Sequence, residues 1–178
     1  MDFFGVSLTT NCKKFMVKLY FSGKIPEEAA DGLPLLQAAA EAALGRKFKN
    51  GTVNIVYVGS RKIHQINKEF LGHDYVTDVI SFNYPQPPVK LKNIPPEERS
   101  GIIESIILGE VYVCLPQAKR QAKKMGHSFF TEMLTLTVHG CLHVAGMDDS
   151  THELRDEMNR KTTRILRKIA PENLPNWQ

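Results

Sequence analysis

Residues 137–149, TVHGCLHVAGMDD, combine the end of a predicted helix with a pair of histidines and a pair of aspartates. His139 and His143 are four residues apart, just over one helical turn, so both imidazoles leave the same face of the helix. Gly146 is a natural helix stop, because glycine accepts the left-handed conformation that ends a helix. The chain then turns back and brings the aspartates close to the histidines. Two nitrogen ligands, one carboxylate and an open position are what a catalytic zinc site needs.

Spacing alone does not choose the third ligand. Asp148 and Asp149 follow His139 by nine and ten residues, and either carboxylate can take the place of a third imidazole. His152 is a further candidate, although it falls in the start of the last predicted helix. Either aspartate could instead be the N-terminal charge of that helix, where it is favourable against the helix dipole. Three ligands would leave room for a water molecule whose pKa the metal lowers towards ~7.

The residues between the histidines argue against a zinc-peptidase site and against a cysteine ligand. In the peptidase motif HExxH, the glutamate beside the first histidine is the general base, and Gly140 stands at that position. Cys141 points to a different helix face and is not counted as a ligand. The three cysteines, Cys12, Cys114 and Cys141, are widely spaced and odd in number, with no CxxC pair, which argues against a disulfide framework and an all-cysteine zinc site. We expect free thiols in a reducing compartment and no disulfide-linked partner.

Composition sets the class of protein. A chain of 178 residues with 42% hydrophobic and 24% charged residues can form one domain with a hydrophobic core. No apolar run approaches the ~20 residues that span a bilayer, and the N-terminus lacks the basic start and apolar stretch of a secretory signal. We therefore expect no membrane partner and a cytoplasmic location. The net charge of +4 is compatible with a polyanionic partner without demanding one.

Hydrophobic periodicity predicts one α+β domain over residues 1–178, a mixed sheet of about four strands packed with about five helices. The metal site would lie on a helix in the C-terminal half and the turn after it. Strands are predicted at 15–21, 52–58, 79–82 and 102–113. Helices are predicted at 34–44, 60–70, 116–126, 128–145 and 150–169, and the first of them could start earlier, near Pro26. The remaining segments are predicted to be an exposed loop at 85–101 and loose termini at 1–12 and 171–178.

The central stretch, HGCLHVAGMDD, resembles the signature HGxLHLxGxDH of the YbeY-type single-strand-specific endoribonucleases, which act in ribosomal RNA maturation and ribosome quality control. Two further stretches agree: INKEFLGHDYVTDVISF is similar to NxxYRxxDxPTDVLSF, and LGEVYVCLPQAKRQA is similar to GDIxIxxxxAxxQA. Three ordered matches over roughly residues 52–160 are much more specific than one. The resemblance implies a single α+β domain, one zinc ion, and a positively charged cleft leading to it.

The resemblance also implies a ligand set. The family's third histidine falls at Asp149, which favours Asp149 over Asp148 as the ligand that joins His139 and His143. Zinc is the expected cofactor, one ion per chain. Because a carboxylate is a harder ligand than imidazole, the site would also accept other divalent metals such as Mn²⁺ or Mg²⁺.

Besides Asp149, other positions differ from the family pattern, among them Val76 in place of the proline before Thr77. The family's arginine falls at Leu71, for which Lys68 or His73 could substitute. The aspartate of the GD pair falls at Glu110, predicted to orient the site or act as a base, or else to be a solvent-facing strand residue.

Other polar residues keep two interpretations. Thr77 and Asp78 would either fix the entry of a loop into a strand or shape the cleft. His64 and His127 are predicted to lie on the surface. The cations predicted to track an RNA backbone, unless they only form a solvated helix face, are Lys119, Arg120, Lys123 and Lys124. The last helix adds Arg155, Arg160, Lys161, Arg164, Arg167 and Lys168. No aromatic residue interleaves with these cations, so the sequence shows no base-stacking platform.

The metal-ligand pattern together with this resemblance implies a zinc-dependent endoribonuclease that acts on single-stranded ribosomal RNA, with Glu110, His139 and His143 as catalytic residues. The alternative is a non-catalytic ribosome-assembly factor with a structural metal, whose basic helices would dock RNA or a ribosomal protein. A metal-dependent hydrolase of another substrate is a third hypothesis.

Overall fold

In the part of the chain that the structure describes, a mixed sheet of five strands, in the order β1-β2-β3-β5-β4, runs through the centre of the protein. The computed structural model describes residues 4–6, 15–45, 48, 51–85 and 93–177. The strands are β1 (Phe4–Val6), β2 (Phe15–Phe21), β3 (Gly51–Val58), β4 (Val79–Asn83) and β5 (Ile107–Cys114). β2, β3 and β5 run parallel, whereas β1 and β4 pair antiparallel at the two edges.

Helices cover both faces of this sheet. In the described residues they are α1 (Glu27–Ala30), α2 (Leu33–Leu44), α3 (Ser60–Leu71), α4 (Pro96–Ser105), α5 (Leu115–Met125), α6 (Phe129–Val144) and α7 (His152–Ile169). One apolar cluster joins α2, α6 and α7 to the face of β3 that carries Ile55 and Tyr57. A smaller cluster packs α3 against the opposite face, which carries Val56 and Val58. The period-2 alternation of β3 therefore separates two layers of helices.

Helix α6 is the central helix of the larger layer. Met133, Leu134, Val138 and Leu142 are all fully buried. The hydroxyl groups of Thr137 and Tyr57 share a buried hydrogen bond of 2.8 Å between α6 and β3. A helix that is apolar nearly all round belongs inside a domain, so α6 is a rigid support for the side chains at its C-terminal end.

The α+β prediction is confirmed, and β2 has the predicted bounds. The sheet has a fifth strand because β1 pairs with β2 within the segment 1–12 that was predicted to be loose; residues 1–3 and 7–14 lie outside the described part of the chain. The earlier helix start that the sequence allowed near Pro26 corresponds to the short helix α1, whose N-cap is Pro26 and which is separate from α2.

The predicted loop at 85–101 is wrong in its second part. Residues from Pro96 onward form α4, which starts with a proline and has two glutamates in its first turn, as helix N-termini favour. The strand predicted from residue 102 therefore begins only at Ile107. Residues 93–101 are mostly exposed, as expected, and residues 86–92 lie outside the described part of the chain.

The C-terminal tail, residues 171–177, is docked rather than loose. Asn176 donates its backbone N–H to His127 Nδ1 at 3.1 Å and its side-chain amide to the Met125 carbonyl at 3.0 Å. The indole N–H of Trp177 donates to Thr163 Oγ1 at 2.8 Å. These contacts fasten the tail to the loop before α6 and to α7.

Candidate metal centre

The helix that carries the histidines ends in a Schellman turn. Gly146 has a φ of 89°. Its N–H donates to the His143 carbonyl at 2.8 Å, and the N–H of Met147 donates to the Leu142 carbonyl at 3.0 Å. This is the pair of hydrogen bonds that defines the motif. The turn reverses the chain, so Asp149 comes back over the last turn of α6, as the sequence predicts.

Two glycines let α6 approach the sheet closely. A Cβ on Gly140 would lie 2.3 Å from Val111 Cγ1, and a Cβ on Gly109 would lie 2.6 Å from Val144 Cγ1. Ser81 Oγ also donates to the Gly140 carbonyl at 3.0 Å. A glutamate at position 140, where a zinc peptidase carries its base, has no room against this sheet.

Three side chains converge beside the turn. His139 Nε2 and His143 Nε2 are 3.1 Å apart. Asp149 brings one carboxylate oxygen to 3.4 Å from His139 Nε2 and the other to 3.7 Å from His143 Nε2. Ligand atoms bound tetrahedrally at about 2.0–2.1 Å are about 3.3 Å apart. The donor set therefore fits Zn²⁺ with small adjustments, and no other such group occurs within the described ranges.

The hydrogen bonding of the histidines suits metal binding. His143 Nδ1 lies 3.1 Å from the Met147 carbonyl, which can only accept, so Nδ1 carries the proton and Nε2 presents its lone pair. Burial lowers the pKa of His139, and the neighbouring His143 acts in the same direction against the opposing effect of Asp149. Both features favour the neutral imidazole that binds metals.

The competing ligand candidates have other partners. Asp148 accepts from the backbone N–H groups of Asp149 and Ser150 at 2.8 and 3.2 Å and from the Ser150 hydroxyl at 2.6 Å, which lowers the pKa of Asp148 and fixes the turn. The side chain of His152 is 81% exposed and lies 3.3 Å from Asp156. Of the alternatives that spacing left open, the structure brings Asp149 to the histidines.

Cys141 is fully buried in the core and takes no part in this cluster. Burial raises the pKa of its thiol far above the usual range, as expected for an inert core cysteine. Cys114 is also buried and free, whereas Cys12 lies outside the described residues.

An open cleft of about 530 Å³ lies in front of the three ligands. Its walls come from the start of β4, from α5, α6 and α7, and from the tail. Asp78 lines the cleft and accepts from the Val79 N–H at 2.8 Å and from Gln121 Nε2 at 2.7 Å. Asp78 therefore performs both roles that the sequence left open, since it starts a strand and shapes the cleft.

Glu110 is not brought together with the histidines. On β5 it shares a sheet face with Tyr112, towards α3, whereas Val111 and Val113 face α6. Its carboxylate accepts from Tyr84 Oη at 2.8 Å and from Tyr112 Oη at 3.3 Å. Burial and this carboxylate raise the pKa of Tyr112 to about 12. The geometry thus gives Glu110 a structural role, and the expected catalytic role is not supported by its position.

The predicted RNA-binding cations of α5 are exposed and none of them lines the cleft. Lys119 lies 5.9 Å from the centre of the Phe129 ring, and Arg120 Nε donates to Gln117 Oε1 at 2.7 Å. The α5 residues that do line the cleft are Gln121 and Met125. Contact of Lys119, Arg120, Lys123 and Lys124 with RNA stays a prediction.

The substitutes expected for the missing family arginine lie elsewhere. Lys68 is paired with Asp74 at 2.8 Å, and neither Lys68, His73 nor Leu71 lines the cleft. The cation that lines it, within the part of the chain that the structure describes, is Arg155, whose Nη2 lies 3.5 Å from the Asp149 carbonyl. The sequence pattern places Arg155 among the surface cations of the last helix. Arg155 follows Asp149 by six residues, in the first turns of a helix, and this spacing is the sequence feature that could have indicated its position at the cleft.

The surface prediction for His127 is wrong, whereas His64 is partly exposed and pairs with Asp74 at 2.6 Å. The His127 side chain is only 8% exposed. Because its Nδ1 accepts from Asn176, its Nε2 carries the proton and donates to Glu132 Oε2 at 2.5 Å. Burial raises the pKa of Glu132, and His127 opposes that shift. This buried pair anchors the tail to the wall of the cleft.

The fold and the site define a class of protein: an α+β domain whose buried helix presents a histidine pair, joined by an aspartate from the following turn, to an open cleft. The sequence profile described as "Endoribonuclease YbeY" matches residues 27–170. The chain belongs to the endoribonuclease YbeY family.

Similar proteins cover most of the chain. The endoribonuclease YbeY of Elusimicrobium minutum is 42% identical over 155 residues, which are 86% of this chain and 99% of that protein. The endoribonuclease YbeY of Bacillus pumilus is 37% identical over 153 residues, 82% and 88% of the two chains. A solution structure of a Thermotoga maritima protein aligns with a TM-score of 0.54 at 24% identity, over 89% of this chain and 90% of that one, and shows the shared fold. None of the described helices is long and apolar enough to cross a bilayer.

Proposed function

We propose that this protein is a metal-dependent endoribonuclease that cleaves single-stranded ribosomal RNA in ribosome maturation and quality control, with zinc as its metal. The observation that carries the proposal is the cluster of His139, His143 and Asp149, whose ligand atoms lie within 4.8 Å of one another at the wall of an open cleft. Family membership supports the reaction class. Action on ribosomal RNA would place the protein in the cytoplasm.

The metal and the groups that orient its ligands would have separate roles. Zinc bound by the cluster would supply a water of lowered pKa and a positive charge for the phosphoryl oxygens. The Schellman turn and the Met147 carbonyl orient His143, and the buried body of α6 keeps both histidines in place. Ligands fixed in this way need little reorganisation when substrate binds.

Arg155 would supply the cation that the family places at the position of Leu71. It lines the same cleft as the ligands, and its guanidinium lies beside the backbone of Asp149. A guanidinium can donate two parallel hydrogen bonds to a phosphate, which gives both charge and orientation. We infer that Arg155 holds the phosphodiester next to the metal site.

The test compares two histidine variants. His143→Ala removes a ligand, whereas His152→Ala removes an exposed histidine nine residues later that lies outside the ligand cluster and does not line the cleft. We expect purified wild-type protein and His152→Ala to contain about one zinc per chain and to cleave single-stranded RNA. His143→Ala should lose both properties while its circular dichroism spectrum is unchanged. Wild-type protein that cleaves no better with metal than with a chelator would overturn the proposal.

A second candidate is a non-catalytic RNA-binding factor in ribosome assembly with a structural metal. The exposed cations of α5, outside the cleft, and Leu71 in place of the family arginine favour it. In this case RNA, ribosomes or a ribosomal protein would still bind to folded His143→Ala protein, and no cleavage would be seen with any variant.

A further inference from the structure

A basic groove continues from the metal cleft along α7. We call it the α7 groove; it has a volume of about 500 Å³ and is lined by Arg160, Arg164 and Arg167 together with Thr163. The arginines are four and three residues apart, so they share one face of the helix. Asn159 and Trp177 line both the groove and the cleft, which makes the two spaces contiguous.

The groove carries uncompensated positive charge. Arg160, Arg164 and Arg167 are exposed, and no hydrogen bond or ion pair engages their guanidinium groups within the described ranges. The acidic residue of the lining is Asp156, which lies 3.3 Å from His152. A helix face of this kind is suited to an anionic chain rather than to an apolar one.

An aromatic ring stands where the groove meets the cleft. Trp177, the single tryptophan of the chain, is held by its hydrogen bond to Thr163 and by the neighbouring Asn176, which is anchored to His127. The residue is nevertheless 39% exposed. A tryptophan that served only to pack the tail would be expected to bury its ring, whereas a fixed, partly open ring can stack with a base.

We propose that the α7 groove binds the segment of single-stranded RNA next to the cleaved phosphodiester, with phosphates on the three arginines and one base stacked on Trp177. The inference rests on the proposed ribonuclease function for its substrate class. Arg160 to Arg167 spans about 10 Å of helix at 1.5 Å per residue. A stacked strand has one phosphate per about 3.4 Å, so about three nucleotides fit. RNA is favoured over an acidic protein because the groove opens into the cleft that holds the metal ligands.

The single tryptophan provides a direct assay. Zinc-loaded full-length protein is titrated with 2′-O-methyl hexaadenylate, whose integrity is checked after each titration, and the emission of Trp177 is followed. We expect saturable quenching, because a stacked base changes the surroundings of the indole. Hexaglutamate, an anionic peptide without bases, should not quench. Unchanged emission while fluorescence anisotropy shows the labelled oligonucleotide to be bound, or equal quenching by hexaglutamate, would overturn the inference.

A matched pair of double variants tests the arginines. Arg160→Gln with Arg164→Gln removes two charges from the groove, and Lys161→Gln with Lys168→Gln removes two exposed charges from the same helix outside it. Only the first pair should lower the slope of log affinity against log salt, by about 1.4 at ~0.7 per phosphate contact. Equal effects of the two pairs would mean that α7 acts as a diffuse basic surface, and the groove would be rejected.

Trp177→Ala should weaken binding by about 5-fold to about 150-fold, as loss of one stacked base does, and Trp177→Phe should weaken it less. These measurements distinguish a failure of the groove proposal from a failure of the ribonuclease proposal. Quenching and arginine dependence without metal-dependent cleavage would refute the ribonuclease and keep the groove as an RNA site. Cleavage with neither property would refute the groove and keep the ribonuclease.

Discussion

Replacing Gly140 by alanine tests how α6 is placed against the sheet. The new Cβ would lie 2.3 Å from Val111 Cγ1, 3.0 Å from Val79 Cγ2 and 3.1 Å from Ser81 Oγ. Val111 is fully buried and cannot move away freely. Overpacking costs about 1–3 kcal/mol, and an overlap this large belongs at the upper end. Alanine is better than glycine in a helix by about 1 kcal/mol, which leaves a net loss of about 2 kcal/mol.

The assay is thermal and urea unfolding of Gly140→Ala beside Gly101→Ala. Gly101 lies in α4, and a Cβ there would meet nothing within 4 Å, so it reports the helix preference of alanine alone. We expect Gly140→Ala to lower Tm by about 4–8 °C, since 1 kcal/mol shifts Tm by about 2–4 °C in a domain of this size. Gly101→Ala should leave Tm unchanged or raise it.

The ligands provide a second measurement. All three lie on α6 and the turn that follows it, so they move together if the helix is pushed from the sheet. Gly140→Ala should therefore keep its zinc content while losing stability. Val111→Ala should cost less stability in the Gly140→Ala protein than in the wild type, because there it also removes the overlapping methyl group. A Gly140→Ala protein as stable as Gly101→Ala, or a Val111→Ala substitution that costs as much stability beside Gly140→Ala as it does in the wild type, would refute the close approach.

Three further predictions concern the site and its wall. Asp149→His should restore the family's three-histidine set, retain zinc and lower the ability of Mn²⁺ or Mg²⁺ to support cleavage, as measured by metal-dependent activity profiles; unchanged metal preference would argue against Asp149 as a ligand. Arg155→Gln should lower RNA cleavage about 10-fold to about 150-fold, the loss of a charged hydrogen bond, with unchanged zinc content, whereas Lys161→Gln should not. His127→Ala should lower the free energy of unfolding by about 1–3 kcal/mol in urea titrations, because it leaves Glu132 buried without its partner and releases the tail; full stability would contradict the anchoring role.

Most of the helices and strands that were predicted correctly follow from local hydrophobic periodicity. The helix around His139 and His143 and the stop at Gly146 depend on residues within a few turns of one another, so their spacing was sufficient. β2 has its predicted bounds for the same reason, since alternation along seven residues defines a half-buried strand. α4 was missed because the apolar residues at 102 and 103 read as the start of the strand that follows.

The choice between faces and the meeting of distant segments required the tertiary structure. Alternation puts Glu110 and Val111 on opposite faces of β5, but only packing decides that α6 covers the face of Val111. Asp149 was selected by its family position, and its approach to the histidines follows from a turn in which Asp148 is already engaged.

The position of Trp177 is the clearest example of a feature that the sequence alone does not predict. The sequence has no aromatic residue among the basic residues of the last helix, yet the tail returns to that helix and places the indole beside Arg160 and Arg164. That return depends on the hydrogen bond that the backbone N–H of Asn176 donates to His127, 49 residues earlier, and on the Glu132 carboxylate that orients the His127 ring. The spacing of the two histidines on one helix face could therefore be predicted from a short stretch of sequence. The cleft, the position of Arg155 in it and the position of Trp177 at its edge depend on contacts between segments that are distant in sequence. No short sequence pattern specifies which of these segments are buried against each other.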